Sequence, residues 1–227
     1  MDLFFLRADE FLLHYNCSFY NVDVIPLQRR QHFAIGVSLI VLFVIFEMMY
    51  IPSLLVMRTK NFYQQSCYKL MYFMGQMDVI CLFISGFCTG YFSIMGYVYC
   101  SSPTLIYFLG LAANSLWVVQ ADTGMMLAFN RCLEMYDPDI NAIFFKGIRS
   151  YFWIAISITH SACLFLFTKP VAFSALYCSW FFNPHVGYFE DYMTTVCCGS
   201  FNLAKQNQLK VFSTATLSTQ FTTLPLL

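Results

Sequence analysis

Four long apolar runs, each closed by charge or proline, constrain this chain more than any other feature. A bilayer crossing takes roughly 20 mostly apolar residues in helical form. The runs cover 35–57, closed by Arg58 and Lys60, and 70–97, opening after Lys69. They continue with 104–129, stopping at Asn130-Arg131, and 151–167, reaching Thr168-Lys169-Pro170. Unpaired backbone amides are costly in lipid, so the runs should be helices rather than open strands, and their length argues against a barrel. Composition agrees: 59% of the 227 residues are hydrophobic and 11% charged. Soluble domains carry roughly a quarter of charged residues, so an ordinary soluble enzyme and a disordered chain are both excluded. With 12 basic and 12 acidic residues there is no basic excess to attract nucleic acid. The expected fold is all-α, a polytopic membrane helix bundle with four transmembrane helices in region 35–169.

The rest of the chain divides around these spans. Residues 1–34 form an amino-terminal tail whose apolar run is too short for a cleavable leader. Lys and Arg favour cytoplasmic loops; Arg58, Lys60 and Lys69 follow span one, and Arg131, Lys146 and Arg149 follow span three. Arg29 and Arg30 vote the other way, but the majority places the amino terminus outside, with the chain in the plasma membrane or endoplasmic reticulum. Asn16-Cys17-Ser18 fits a glycosylation acceptor in that tail. Residues 170–198 read as an aromatic extracellular loop, and 199–227 as a divergent polar tail with no run long enough to span.

Placement sorts the ten cysteines. Cys81, Cys88 and Cys163 lie within spans as small apolar packing residues. Cys67 and Cys132 sit at the reducing edge. Cys100, at the entrance to span three, and Cys178, in the aromatic loop, face the oxidising side together, and a bridge between them would pin the loop over the bundle mouth. No spacing suggests zinc, and no cofactor is expected.

Ionisable groups inside a span are functional candidates by default. Asp78 lies in span two, with Ser85 and Thr89 on the same face of an ideal helix. A carboxylate at that depth needs a cation, a proton or a cluster of donors. Trp117, Gln120, Gly124, Leu127 and Arg131 form one seam of span three, with Asp122 on the opposite side. Span four aligns Trp153, Ser157 and His160, and span one carries Glu47, Tyr50 and Pro52. No nucleophile elbow, zinc-protease motif or phosphate-binding loop is present, so the chain is not expected to be an enzyme.

These residues carry a resemblance. "YNC" at Tyr15–Cys17, "YIP" at Tyr50–Pro52 and "SCYKLMYFMGQMDV" at Ser66–Val79 are joined by "LAFNRCLEMYDP" at Leu127–Pro138 and "SWFFNP" at Ser179–Pro184. Together and in this order they resemble nematode serpentine receptors of class T, seven-helix chemoreceptor-like proteins related to rhodopsin-type receptors. The resemblance implies that Asp78 is the span-two aspartate of an activation switch, with a sodium site there. It also implies that Asn130-Arg131-Cys132 stands at the inner-rim arginine motif, Asn replacing the acid that usually restrains the arginine. Cys100 and Cys178 match the bridge from span three to the second outer loop, and Trp153 resembles the span-four tryptophan; Trp117 and Gln120 are candidates for the pocket floor. The implied partners are membrane lipid, a small-molecule ligand and a heterotrimeric G protein. The resemblance fades after Tyr192, three spans short of such a receptor. The expectation is therefore a truncated chemoreceptor-like G-protein-coupled receptor that does not signal alone and pairs with a full-length receptor. The alternatives are a four-span structural or adaptor protein and a transporter fragment.

Overall fold

A computed structural model describes residues 15–18 and 21–186. Four of its helices are long and apolar enough to cross a membrane: α1 (Phe33–Met57), α2 (Ser66–Met95), α3 (Pro103–Tyr136) and α4 (Arg149–Phe167). The polar tail 199–227 and the end of the aromatic loop lie outside the described residues. The helices pack in sequence order, α1 on α2, α2 on α3 and α3 on α4. Their outward faces are apolar, as lipid requires; Met48, Met49, Leu55 and Val56 of α1 are all exposed.

Local chemistry explains where the helices stop. α2 ends at Gly96, whose φ of 65° is the left-handed cap that only glycine adopts without strain. α3 opens with Pro103 in its first turn, where a missing N–H leaves nothing unpaired. It runs past the apolar stretch, through Arg131, to Tyr136, because polarity does not end a helix. Asp137 does, since the following Pro138 disfavours helical backbone before it. Asp137 then caps the short helix Pro138–Phe145, its Oδ1 accepting from the Asp139 and Ile140 amides.

Helices α1 and α2 cross at a pair of glycines. A Cβ on Gly36 would lie 2.6 Å from the Gly90 carbonyl oxygen, and one on Gly90 would lie 2.8 Å from that of Gly36. Membrane helices rely on such small residues because lipid offers no hydrophobic drive to pack them. Between Leu82 and Thr89 the backbone of α2 winds as a π turn, Phe83–Cys88. This turn rotates the end of the helix nearer Gly96 relative to the Asp78 end, so the expected stripe from Asp78 to Thr89 is broken. Thr89 serves other partners: it donates to Ile84 O (3.1 Å) and accepts from Trp180 Nε1 (3.0 Å).

The aromatic loop is not irregular. Ala172–Ser174 (β1) and Ser179–Phe181 (β2) form an antiparallel hairpin, with Phe173 opposite Trp180. Ser174 bridges to Val98, and Ala175 N donates to Tyr97 O at 3.0 Å, docking the hairpin on the α2–α3 connection. Val171 lies against Gly110, where a Cβ would come within 1.7 Å of the Val171 oxygen. Beneath the hairpin, Phe92, Tyr99, Tyr107, Leu111 and Phe173 form one core, joined by Tyr15 from the tail. A smaller core at the opposite end joins Leu70, Phe145 and Ile154, with Trp153 stacked on Phe145 at 5.8 Å.

Candidate functional site

Asp78 is 6% exposed and binds three helices together. Tyr50 of α1 donates its hydroxyl to Oδ2 at 3.0 Å, and Gln120 of α3 donates Nε2 to Oδ1 at 2.7 Å. Of the partners a buried carboxylate could take, the structure supplies donors. The cluster is a hydrogen-bonded carboxylate with one donor on each oxygen. Gln120 is engaged here, whereas Trp117, one turn away, is 40% exposed on the open side of α3.

At the other end of α3, adjacent residues face opposite ways. Asn130 is fully buried; its Nδ2 donates to Ser66 Oγ (3.3 Å) and to Asn141 Oδ1 (2.9 Å). It therefore ties α3 to the start of α2 and to the short helix Pro138–Phe145. Arg131 points outward, 52% exposed, and its Nη1 meets Glu134 Oε2 at 3.8 Å one turn on. Exposed pairs of this kind contribute little, about 0–1 kcal/mol, so the guanidinium is held loosely. Cys132, beside it, is exposed and carries a free thiol.

The structure corrects the cysteine assignment. Cys100 is bonded to Cys17, across 83 positions of sequence, and not to Cys178. The cause lies in packing on both sides. Tyr15 is buried edge-on to Tyr107 at 5.3 Å and tilted on Tyr99 at 5.8 Å, which delivers the tail to Cys100. The docked hairpin meanwhile places Cys178 in its turn, at φ 48°, with Sγ 3.6 Å from Ala175 O. Burial pushes the Cys178 thiol above its ordinary pKa, partly opposed by a Ser93 hydrogen bond. Asn16 closes a turn by accepting the Ser18 amide through Oδ1 at 2.8 Å, leaving its amide nitrogen, the atom a glycan would join, outside that bond.

One pair escaped the sequence reading. His160 Nδ1 of α4 lies 2.7 Å from Asp122 Oδ2 of α3. Beside it runs a groove of about 450 Å³ lined by α4, including Ala155, Thr159, His160 and Cys163. The signal was available, since two ionisable residues in successive spans each need a partner. Tyr50 was also missed as the Asp78 donor, and no spacing rule connects positions 28 residues apart.

Comparison with known proteins adds a family. Residues 1–224 match the family described as serpentine type 7TM GPCR chemoreceptor Srt. The match runs past Tyr192, where the residue-level resemblance had ended, into the polar tail. Among curated proteins, Serpentine receptor class T-55 of Caenorhabditis elegans is similar, 22% identical over 120 residues. That alignment covers 53% of this chain and 33% of the relative, so the matched part spans about a third of the relative's length. No solved structure matches.

Proposed function

This chain belongs to the class T serpentine chemoreceptor family, integral multi-pass membrane receptors and not an enzyme family, and from that membership we propose a ligand-driven switch built around Asp78. The hairpin end faces outward, with the amino-terminal tail, and receives a small chemical. The end bearing Arg131 faces the cytoplasm and a G protein. Asp78, Asn130 and Arg131 are the switch residues. Signalling takes the complete seven-helix bundle, whose further helices cover open faces of α3 such as Trp117, Met125 and Phe129.

The observation that carries this reading is the Tyr50–Asp78–Gln120 cluster. One carboxylate joins three helices through two hydrogen bonds, so a shift of α3 against α1 must break or remake one of them. A ligand moves such an equilibrium only through its different affinities for the two arrangements. Asn130 holds the inner loop helix in place while Arg131 stays free to engage a partner, a division of labour that suits the missing acid.

The experiment uses Cys132 as a reporter in a background with Cys163, Cys178, Cys197 and Cys198 all replaced by Ser, the chain being embedded in nanodiscs. A panel of small volatile organics is screened for compounds that raise the thermal midpoint. Those compounds should change the fluorescence of a bimane label on Cys132, and the change should vanish in Asp78→Ala. Binding with no change at Cys132, or an unaltered change in Asp78→Ala, would remove Asp78 from the switch.

A further inference from the structure

Three metal-ligating side chains converge at the hairpin end, away from the Asp78 cluster. Cys17 Sγ, Cys100 Sγ and a His185 ring nitrogen all lie within 4.8 Å of one another. They come from three separate segments: the tail, the entrance to α3 and the stretch after β2. His185 is 7% exposed, and its ring stands edge-on to Tyr99 at 6.1 Å. We propose that Cys17, Cys100 and His185 form a redox-gated site for a thiophilic divalent cation of the zinc class, which clamps these segments when the disulfide is open.

The geometry suits both states. The two cysteine Cα atoms are 5.5 Å apart. Zinc–sulfur bonds of about 2.3 Å in tetrahedral geometry put two thiolate sulfurs about 3.8 Å from each other, within reach of side-chain rotation from that backbone separation. A neutral imidazole supplies the third ligand and water the fourth. Two thiolates cancel the charge of the cation, and a neutral complex is what the surrounding Tyr15, Tyr99 and Tyr107 can accept at least cost. Tyr99 adds a buried hydroxyl that has no hydrogen-bond partner among the described residues.

The chemistry balances with a dithiol as reductant. The dithiol gives two electrons and two protons to the Cys17–Cys100 bond, yielding two thiols and its own disulfide. The cation then takes both thiolates as their protons leave to solvent, so binding tightens as pH rises. The disulfide joins two segments, whereas the metal joins three, and loading the site also fixes the segment after β2 through His185.

The test reduces the full chain in nanodiscs with a dithiol, removes the reductant without oxygen and titrates with cobalt(II). Reduced wild type should show a thiolate-to-cobalt charge-transfer band that saturates at one ion per chain and is displaced by zinc. The oxidised chain should show none. His185→Phe keeps a ring against Tyr99 but no ligand, so its affinity should fall by more than the roughly 10–100-fold that loss of an outer-sphere neighbour brings. Cys17→Ser should behave likewise. Zinc should also raise the thermal midpoint of reduced wild type and leave that of reduced His185→Phe in place. A missing band in reduced wild type, a band of equal strength in either variant, or no zinc-dependent shift would each overturn the site.

Discussion

Asp78 is where a residue's cost and its role are hardest to separate. Its carboxylate is buried, and each oxygen receives one donor, so the neighbouring helices are coupled through a group that cannot be left bare. Hydrogen bonds to charged groups are worth about 1.5–3 kcal/mol, whereas interhelical bonds in lipid average only about 0.6 kcal/mol. The first figure should govern here, because the carboxylate finds no water when a donor is lost. Gln120→Leu should lower stability by about 1.5–3 kcal/mol in a denaturing-detergent titration, and a neutral result would place water beside Asp78. Asn130 offers a second case. Asn130→Ala strands Asn141 and Ser66, and hydrogen exchange should quicken across Pro138–Phe145 while α4 stays protected. The need of Asp78 for donors is readable from its position in an apolar run. That Tyr50 is one of them is not, because it depends on how two helices cross.

The elements meet at points of very close approach. Gly36 and Gly90 bring the α1 and α2 backbones together, and Gly110 lets Val171 seat the hairpin. Gly90→Leu should push α1 away at a cost of about 1–3 kcal/mol, seen as a lower midpoint, and because neighbouring Thr89 accepts from Trp180 of the hairpin, the Trp180 fluorescence should shift with it. Gly110→Val should act on the hairpin directly. Its branched side chain meets backbone rather than a yielding side chain, so Trp180 should become more exposed and its fluorescence shift to longer wavelength. Apolar length foretold the spans, but the π turn in α2 has no periodic signature. An ideal helix put Asp78 and Thr89 on one face, and one irregular turn gave them different partners.

The molecule as a whole is polarised from end to end. Hairpin, Tyr15 and the Cys17–Cys100 disulfide occupy one end, while Arg58, Lys60, Lys69, Lys146 and Arg149 gather toward the other. With the proposed orientation, trypsin added outside sealed cells should leave the Arg58–Lys60 loop intact and cut it after permeabilisation; cutting in intact cells would invert the topology. The basic end is also held by a hydrogen bond between the Tyr63 and Tyr151 hydroxyls at 3.0 Å. That bond, with some burial, pushes the Tyr63 pKa from 10.0 up to about 12. A raised value favours the protonated form in the folded state. The contribution is therefore complete below about pH 10 and lost as pH climbs through about 12. Thermal midpoints measured from pH 9 to 12 should fall in that window, and Tyr63→Phe should flatten the fall. The four apolar spans of the described residues and the family are legible in the residues alone, because transfer from water to lipid is additive along a stretch and short motifs are local. Which cysteine meets Cys100, which donors reach Asp78 and that His160 finds Asp122 could not be read there. Those outcomes turn on distances of a few ångströms between residues far apart in the chain, set where helices cross and where the hairpin docks.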